Sequence, residues 1–363
     1  MRAWQVTQNG FKNLTLLKDT PIPSPTNPHD ILIKNIAVGL NPADYKRCDR
    51  DQPPFIPTPF IIGGEGCGVI EKTGPGVDSA IYSPGKLVYY KSNSFGVGCF
   101  SDYTIQDART ISFVPEKMLE GGNVKEIAVK FASLPVCAFT AYTNVCIKLR
   151  LGIFPVSKEL QSNPKIYKNI VVNGASGGVG SFVLQLLDLW RKNLDDEELA
   201  KNVRIIGVCS GKNGEYVKSL GATHTVDYKE EGYVGKIREI CGEEGVDAFF
   251  DNVGGKTIDW AFELLGNGGD YLTNLAVPKD FDMSKLFFKS QNVHQTYLSN
   301  MYMNMVDYQL EELKEIGDIV GRLIEEGKMK AVDVKVIGFE EIKENLEEIG
   351  VSGSKGKIVA LLR

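Results

Sequence analysis

The stretch Asn173-Gly-Ala-Ser-Gly-Gly-Val-Gly180 constrains this chain more than any other segment. It follows an apolar run, Asn169-Ile-Val-Val-Asn173, and opens a segment whose Val179, Phe182, Val183, Leu186, Leu187 and Trp190 fall on one helical face. An apolar strand, a glycine-rich turn and an amphipathic helix in that order form a phosphate cradle. Glycines let the backbone bend sharply and approach a pyrophosphate, and the N-terminus of the helix supplies unpaired N–H groups and a partial positive charge. The turn reads Ala175-x-Gly177-x-x-Gly180, with alanine where the usual fingerprint has its first glycine. Gly174, Ala175, Ser176, Gly177, Gly178, Val179 and Gly180 are therefore expected to hold a dinucleotide. A P-loop is excluded, because no Gly-Lys-Ser/Thr closes the turn.

The rest of the chain alternates around this unit. Strands are expected at Val203–Val208, near Thr225-Val226, at Val246–Phe250 and at Tyr271–Thr273. Helices are expected at Glu215–Leu220, Tyr233–Ile240 and Ile258–Leu265. The pattern implies an α/β, doubly wound parallel sheet. The first third is different. Short apolar runs at Ile31–Val38, Cys67–Ile70 and Lys86–Tyr90 are separated by Pro and Gly clusters, with loops at Pro21–Pro28 and Asp51–Pro59. The end returns to this texture: a strand at Val293–Leu298 and a helix bearing Ile316, Ile319, Val320 and Leu323 precede strands at Val332–Ile337 and Lys357–Leu362. A nucleotide-binding domain, 134–300, inserted into a β-rich domain made of 1–133 and 301–363, is the expected organisation. The acidic Asp195-Asp-Glu-Glu-Leu-Ala stretch reads as a solvated extension.

The second strand of the parallel sheet chooses between cofactors. An NAD site places a carboxylate at its end for the ribose hydroxyls. Here the chain runs Cys209-Ser-Gly-Lys-Asn213, with no acid before Glu215. Ser210 and Lys212 suit a 2′-phosphate, through a hydroxyl and a charge-assisted bond. NADPH is the expected cofactor.

Composition narrows the partners. A formal net charge of −5 argues against nucleic acid, whose phosphates call for a basic surface. No apolar stretch approaches a membrane span, and the start Met1-Arg-Ala-Trp-Gln-Val6 lacks a secretory apolar run. The seven cysteines are odd in number and show no C-x-x-C spacing, so free thiols in a reducing, cytoplasmic setting are expected.

Several segments together resemble the medium-chain dehydrogenase/reductase superfamily, in its zinc-free quinone-oxidoreductase branch (zeta-crystallin-like and chloroplast-envelope quinone oxidoreductase homologue-like). They are Asn41-Pro-Ala-Asp44, Gly63-Gly-Glu-Gly-Cys-Gly-Val69, Ala175–Gly180, Val217–Ala222, Asp251-Asn-Val-Gly-Gly255 and Gly356-Lys-Ile-Val359. The resemblance implies a GroES-like catalytic domain around a Rossmann domain. It implies that Asn252, Val253 and Gly254 line the cofactor and that Tyr228 stands near the 2′-phosphate. It also implies pairing of two copies through the strand at 293–298, a homodimer. Zinc alcohol dehydrogenases of the superfamily carry Cys where this chain has Asn41 and His where it has Gly64. Cys137 lies near the third ligand position, and one sulfur does not hold a tetrahedral zinc. No metal is expected.

The chemistry expected is hydride transfer to a small conjugated acceptor, a quinone or an α,β-unsaturated carbonyl, which needs no Lewis acid because its charge delocalises. Asn41 and Tyr45 match the family segment facing the nicotinamide and are the candidate donors to the acceptor oxygen. The alternative is that Asn41 and Asp44 stabilise a loop. Tyr142 matches a pocket position in some relatives. Met283–Phe288 and Met301–Met305 either border a substrate pocket or pack in a core or interface. The rival reading is a scaffold or regulator that binds NADPH and has lost turnover.

Overall fold

The structure is a computed structural model and describes residues 1–49, 57–93, 96–153, 165–352 and 356–362. The loop expected at Asp51–Pro59 lies mostly outside the described residues. The chain divides into two compact units, Met1–Phe139 with Leu298–Arg363, and Thr140–Tyr297. The division falls within the helix Pro135–Tyr142.

The first unit is the β-rich domain. Its longest strand, Asp30–Leu40, pairs antiparallel with Glu65–Thr73, Tyr103–Asp107 and Lys357–Leu361. Glu65–Thr73 pairs in turn with Leu87–Lys91, and that strand with Ile111–Phe113. Alternating side chains fill one core, including Trp4, Ile33, Val38, Tyr90, Phe100, Phe339 and Ile358. The Trp4 indole N–H, which would be costly to bury alone, donates to the Phe339 carbonyl at 2.9 Å. The strand expected at Val332–Ile337 runs Val334–Gly338 and lies parallel to Lys357–Leu361 at the sheet edge.

The second unit is a Rossmann domain. Its strands are β1 (Asn169–Asn173), β2 (Arg204–Cys209), β3 (His224–Asp227), β4 (Val246–Asp251), β5 (Leu265–Thr273) and β6 (Asn292–Gln295). All pairs are parallel, in the order β3-β2-β1-β4-β5-β6. That order reverses direction beside β1, where open sheets of this kind bind their ligands. Every residue of β1 is buried, as expected of a central strand covered on both faces. β6 is shorter than expected, because Leu298 already opens a 3-10 turn, Leu298–Tyr302. The acidic extension forms an exposed helix, Glu197–Asn202, whose N-terminus is capped by the Asp196 carboxylate on Leu199 N–H at 2.9 Å.

One charged cluster ties the N-terminal edge of this sheet. Asp270 in β5 accepts from the Lys165 ammonium, from the Tyr167 hydroxyl at 2.9 Å and from the Asn292 amide at 3.1 Å, with His294 Nε2 at 2.9 Å. Burial alone would raise its pKa. The bonds from His294, Lys165 and Tyr167, with the Lys165 charge, outweigh burial and hold it at about 2. A folded-state pKa below the unfolded value gives stability that is complete above the ordinary carboxylate range and lost as pH falls through about 2. We expect Asp270→Asn to cost about 1 to 2 kcal/mol in urea unfolding at pH 7, allowing for solvent screening. The difference should shrink by roughly half at pH 3. A penalty that does not change with pH would contradict this account.

Candidate active and cofactor site

The predicted cofactor residues of the second unit all fall at the C-terminal ends of its strands. Gly174–Gly177 follows β1, and Gly177 is the N-cap of the helix Gly178–Lys192. That helix buries the predicted face, Phe182, Val183, Leu186, Leu187 and Trp190, and ends on Arg191 and Lys192, which suits its dipole. Gly180 permits the close crossing that the turn needs. A Cβ there would lie 2.3 Å from the Gly174 carbonyl oxygen and 2.9 Å from Ala175 Cα, both backbone atoms.

The turn Asn252-Val253-Gly254 lies beside the glycine turn, and a Cβ on Gly174 would stand 3.1 Å from Val253 Cγ2. Asp251, at the end of β4, organises this pair and was not singled out in the sequence. Its Oδ1 accepts from Val253 N and Gly254 N, both at 3.0 Å, and from Asn173 Nδ2 at 3.1 Å. Its Oδ2 accepts from the Tyr271 hydroxyl at 2.6 Å. Asn252 Nδ2 donates to the Asn173 carbonyl at 3.0 Å, which closes the bridge between the two turns. Val253 is left 58% exposed, an apolar surface facing away from the core.

Ser210 is buried at the tip of β2, Lys212 is exposed in the turn Gly211–Asn213, and Tyr228 is 51% exposed after β3. Asn213, which carries no motif signal in the sequence, ties this loop to the glycine turn through Ser176 Oγ at 3.2 Å. Asp227 also stands here. Its Oδ1 accepts from Lys229 N at 2.9 Å, and its Oδ2 packs against Gly211. The geometry is that of a dinucleotide cradle: two turns side by side, a helix N-terminus, and polar groups at the next strand tips.

The first unit positions Asn41 and Tyr45 on one short helix, Pro42–Lys46. Asn41 is 3% exposed, and its backbone N–H donates to Asp44 Oδ2 at 2.9 Å. Its side chain belongs to a buried cluster with Glu65 and Lys357, neither of which was picked out for a role in the sequence. Asp44 is fully buried, and burial raises its carboxyl to about 6 against the opposing charges of Arg47 and Lys357. Lys91, one strand further across, has its ammonium bonded to the Ser92 carbonyl and Ser299 Oγ. Burial lowers it to about 8, helped by the Arg47 charge. The structure separates Tyr45 from this cluster. Its ring packs on Phe11, centroids 4.6 Å apart, and on Gly350. Tyr142 is half-buried where the helix Pro135–Tyr142 passes into the π-helical turn Thr143–Lys148. Of the Met-rich segments, Met301 is buried, whereas Met283, Met303 and Met305 are exposed.

Comparison with known proteins gives this architecture its class. The alcohol dehydrogenase GroES-like domain family matches residues 27–116, and the zinc-binding dehydrogenase family matches residues 199–315. A trans-enoyl reductase of Aspergillus terreus is 32% identical over 62% of this chain and 68% of its own length. A mouse prostaglandin reductase-3 is 26% identical over 99% of this chain and 88% of its own. Among solved structures, a mycobacterial protein complexed with NADPH superposes with a TM-score of 0.77 at 24% identity, each chain covered in full. A Pseudomonas syringae quinone oxidoreductase does so with a TM-score of 0.77 at 20% identity, over 99% of each chain. The chain belongs to the medium-chain dehydrogenase/reductase superfamily, in its quinone-oxidoreductase and enoyl-reductase branch, a family of NAD(P)H-dependent oxidoreductases.

One family name implies a zinc ion, and the residues here do not fit one. Asn41 offers an amide whose oxygen is bonded to the Lys357 ammonium, and Gly64 offers no side chain. The Cys137 thiol sits close enough to Lys357 to feel its charge. Among the described residues no three His, Cys, Asp or Glu side chains gather as a metal site.

We expect Gly180→Ala to lower stability by about 1 to 3 kcal/mol, because both clashing neighbours are backbone. It should also weaken dinucleotide binding at least about tenfold, read by nicotinamide fluorescence titration, through displacement of the helix N-terminus. Unchanged affinity would remove the glycine turn from the site.

Proposed function

We propose that this protein is an NADPH-dependent reductase that delivers hydride, without a metal ion, to a conjugated acceptor, a quinone or an α,β-unsaturated carbonyl. The observation that carries the reading is the cradle at the C-terminal edge of the parallel sheet, with Ser210 and Lys212 at the tip of β2 and no carboxylate on that tip. In this reading the N–H groups at the start of the helix Gly178–Lys192 hold the pyrophosphate, and Asn252, Val253 and Gly254 flank the nicotinamide side. Ser210, Lys212 and Tyr228 hold the 2′-phosphate. Bound NADPH supplies the hydride. Asn41 donates a hydrogen bond to the acceptor oxygen as negative charge gathers there. Tyr45 is the weaker candidate donor, since its ring is already committed to Phe11 and Gly350. Tyr142 borders the acceptor. The names of the relatives, prostaglandin reductase and trans-enoyl reductase, agree with an enone-type substrate.

One observation favours a second reading of the cofactor. The Asp227 carboxylate beside Gly211 is a potential partner for ribose hydroxyls, which would suit NADH. Purified protein should oxidise NADPH with quinones or short enones in preference to NADH. Lys212→Ala should lower kcat/KM for NADPH roughly ten- to a hundredfold and leave NADH unaffected, since a charged hydrogen bond is lost only with the phosphate. Preference for NADH would put Asp227 in the selecting role instead, and equal use of both would take Lys212 out of it. Tight NADPH binding with no turnover over quinones, enones, enals and aldehydes would make the protein a scaffold.

Among the described residues the edge strand β6 has a neighbour on one side only, and Phe287 and Phe288 are 78% and 90% exposed just before it. An open edge beside bare aromatics is a liability that pairing with a second copy removes. A homodimer follows from this reading, with twice the 40.0 kDa chain mass by light scattering. A monomer at micromolar concentration would contradict it.

A further inference from the structure

The sheet of the first unit brings together residues far apart in sequence. Its register pairs Leu40 with Ile358 and Gly39 with Glu65, so Asn41, Glu65 and Lys357 meet at one end of three adjacent strands. The Lys357 ammonium donates to the Leu40 carbonyl at 3.1 Å, to Asn41 Oδ1 and to Glu65 Oε1, with the Cys137 sulfur also within its reach. Glu65 Oε1 also accepts from Asn41 Nδ2 at 2.8 Å, and Glu65 Oε2 from Val136 N at 2.7 Å. Lys357 and Asn41 are 3% exposed and Glu65 is 0% exposed. Gly39 makes room for the carboxylate, since a Cβ there would lie 2.5 Å from Glu65 Oε1.

These bonds leave the Asn41 amide one orientation. Its oxygen faces a cation and one Nδ2 hydrogen faces an anion. Turning the amide over would set its oxygen against the Glu65 carboxylate and its NH₂ against the ammonium, and both contacts would be repulsive. The second Nδ2 hydrogen has no partner among the described residues. A cation on the amide oxygen also draws electron density from the nitrogen and strengthens this remaining donor. We propose that Lys357 is a positioning residue that, through Glu65 and the Asn41 oxygen, holds the spare Asn41 N–H as a fixed donor for the acceptor oxygen of the reduced substrate. The ammonium thus acts on the substrate through Asn41 and does not touch it. The inference rests on the reductase reading above.

The test is the neutral pair Glu65→Gln with Lys357→Met, which keeps the volume of the cluster and leaves no unpaired buried charge. Each single variant is the comparison, and the lone Lys357→Met is expected to unfold more readily. The double variant should keep NADPH affinity and KM for the acceptor within about twofold of wild type. Its kcat should fall about tenfold, less than the hundredfold or more that follows outright loss of such a donor. A purely structural cluster predicts wild-type kcat once the double variant folds, and that result overturns the proposal. A second readout uses the cofactor-free protein. The Asn41 side-chain amide, assigned by its disappearance in Asn41→Asp, should exchange its hydrogens slowly in wild type and fast in the double variant. Exchange in wild type as fast as that of an exposed asparagine overturns the lock, whatever the activity. Absence of wild-type turnover would defeat the reductase reading alone, and the exchange measurement would still decide the positioning claim.

Discussion

The end of the first unit's sheet that carries Asn41 depends on where one lysine puts its charge. Burying an ammonium and a carboxylate costs several kcal/mol for each ion, and good geometry with full hydrogen bonding is needed to offset it. Lys357 and Glu65 meet those terms. Burial alone would lower the Lys357 pKa, yet the Cys137 sulfur and the Glu65 carboxylate beside it push it up, so the group stays charged. The surroundings are arranged to allow this: a glycine at position 39, a backbone N–H from Val136, and a strand end whose Leu40 carbonyl is free to accept. A pair of this kind contributes little net stability for its cost. What it contributes is orientation, and here the oriented group is the amide of Asn41.

The second unit reaches the same end with a different device. Asp251 spends one oxygen on two backbone N–H groups and the Asn173 amide, and the other on a tyrosine hydroxyl. That locks the turn after β4 against the turn after β1 before any ligand arrives. Preorganisation of both turns lowers the ordering cost of binding. In each unit, then, a buried carboxylate fixes the groups proposed to meet the cofactor or the acceptor.

The fold was legible wherever the signal was local. The strands and helices of the Rossmann unit begin and end within a residue or two of their expected positions, because apolar periods and glycine breaks are short-range features. β5 and β6 are the exceptions: β5 already begins at Leu265, which pairs with Val246, and carries Gly-Asn-Gly-Gly as a break in register before pairing resumes at Asp270, whereas β6 stops at Gln295. The turn geometry of the candidate site was legible where it rests on local backbone, as in Gly174–Gly180. It was not legible where it rests on register. Asn41 and Lys357 are 316 residues apart, and only the pairing of Leu40 with Ile358 joins them. Tyr45 shows the converse case. It is close to Asn41 in sequence, but the helical turn between them sends its ring toward Phe11 and Gly350.

Whether hydride reaches a conjugated carbon with no metal to polarise a carbonyl is tested most directly by deuterium tracing. An enone reduced with NADPH deuterated at nicotinamide C4 should yield a product that NMR shows to carry deuterium at the β-carbon, with a solvent-derived proton at the α-carbon and the carbonyl intact. Deuterium on the former carbonyl carbon, in an alcohol product, would contradict the account.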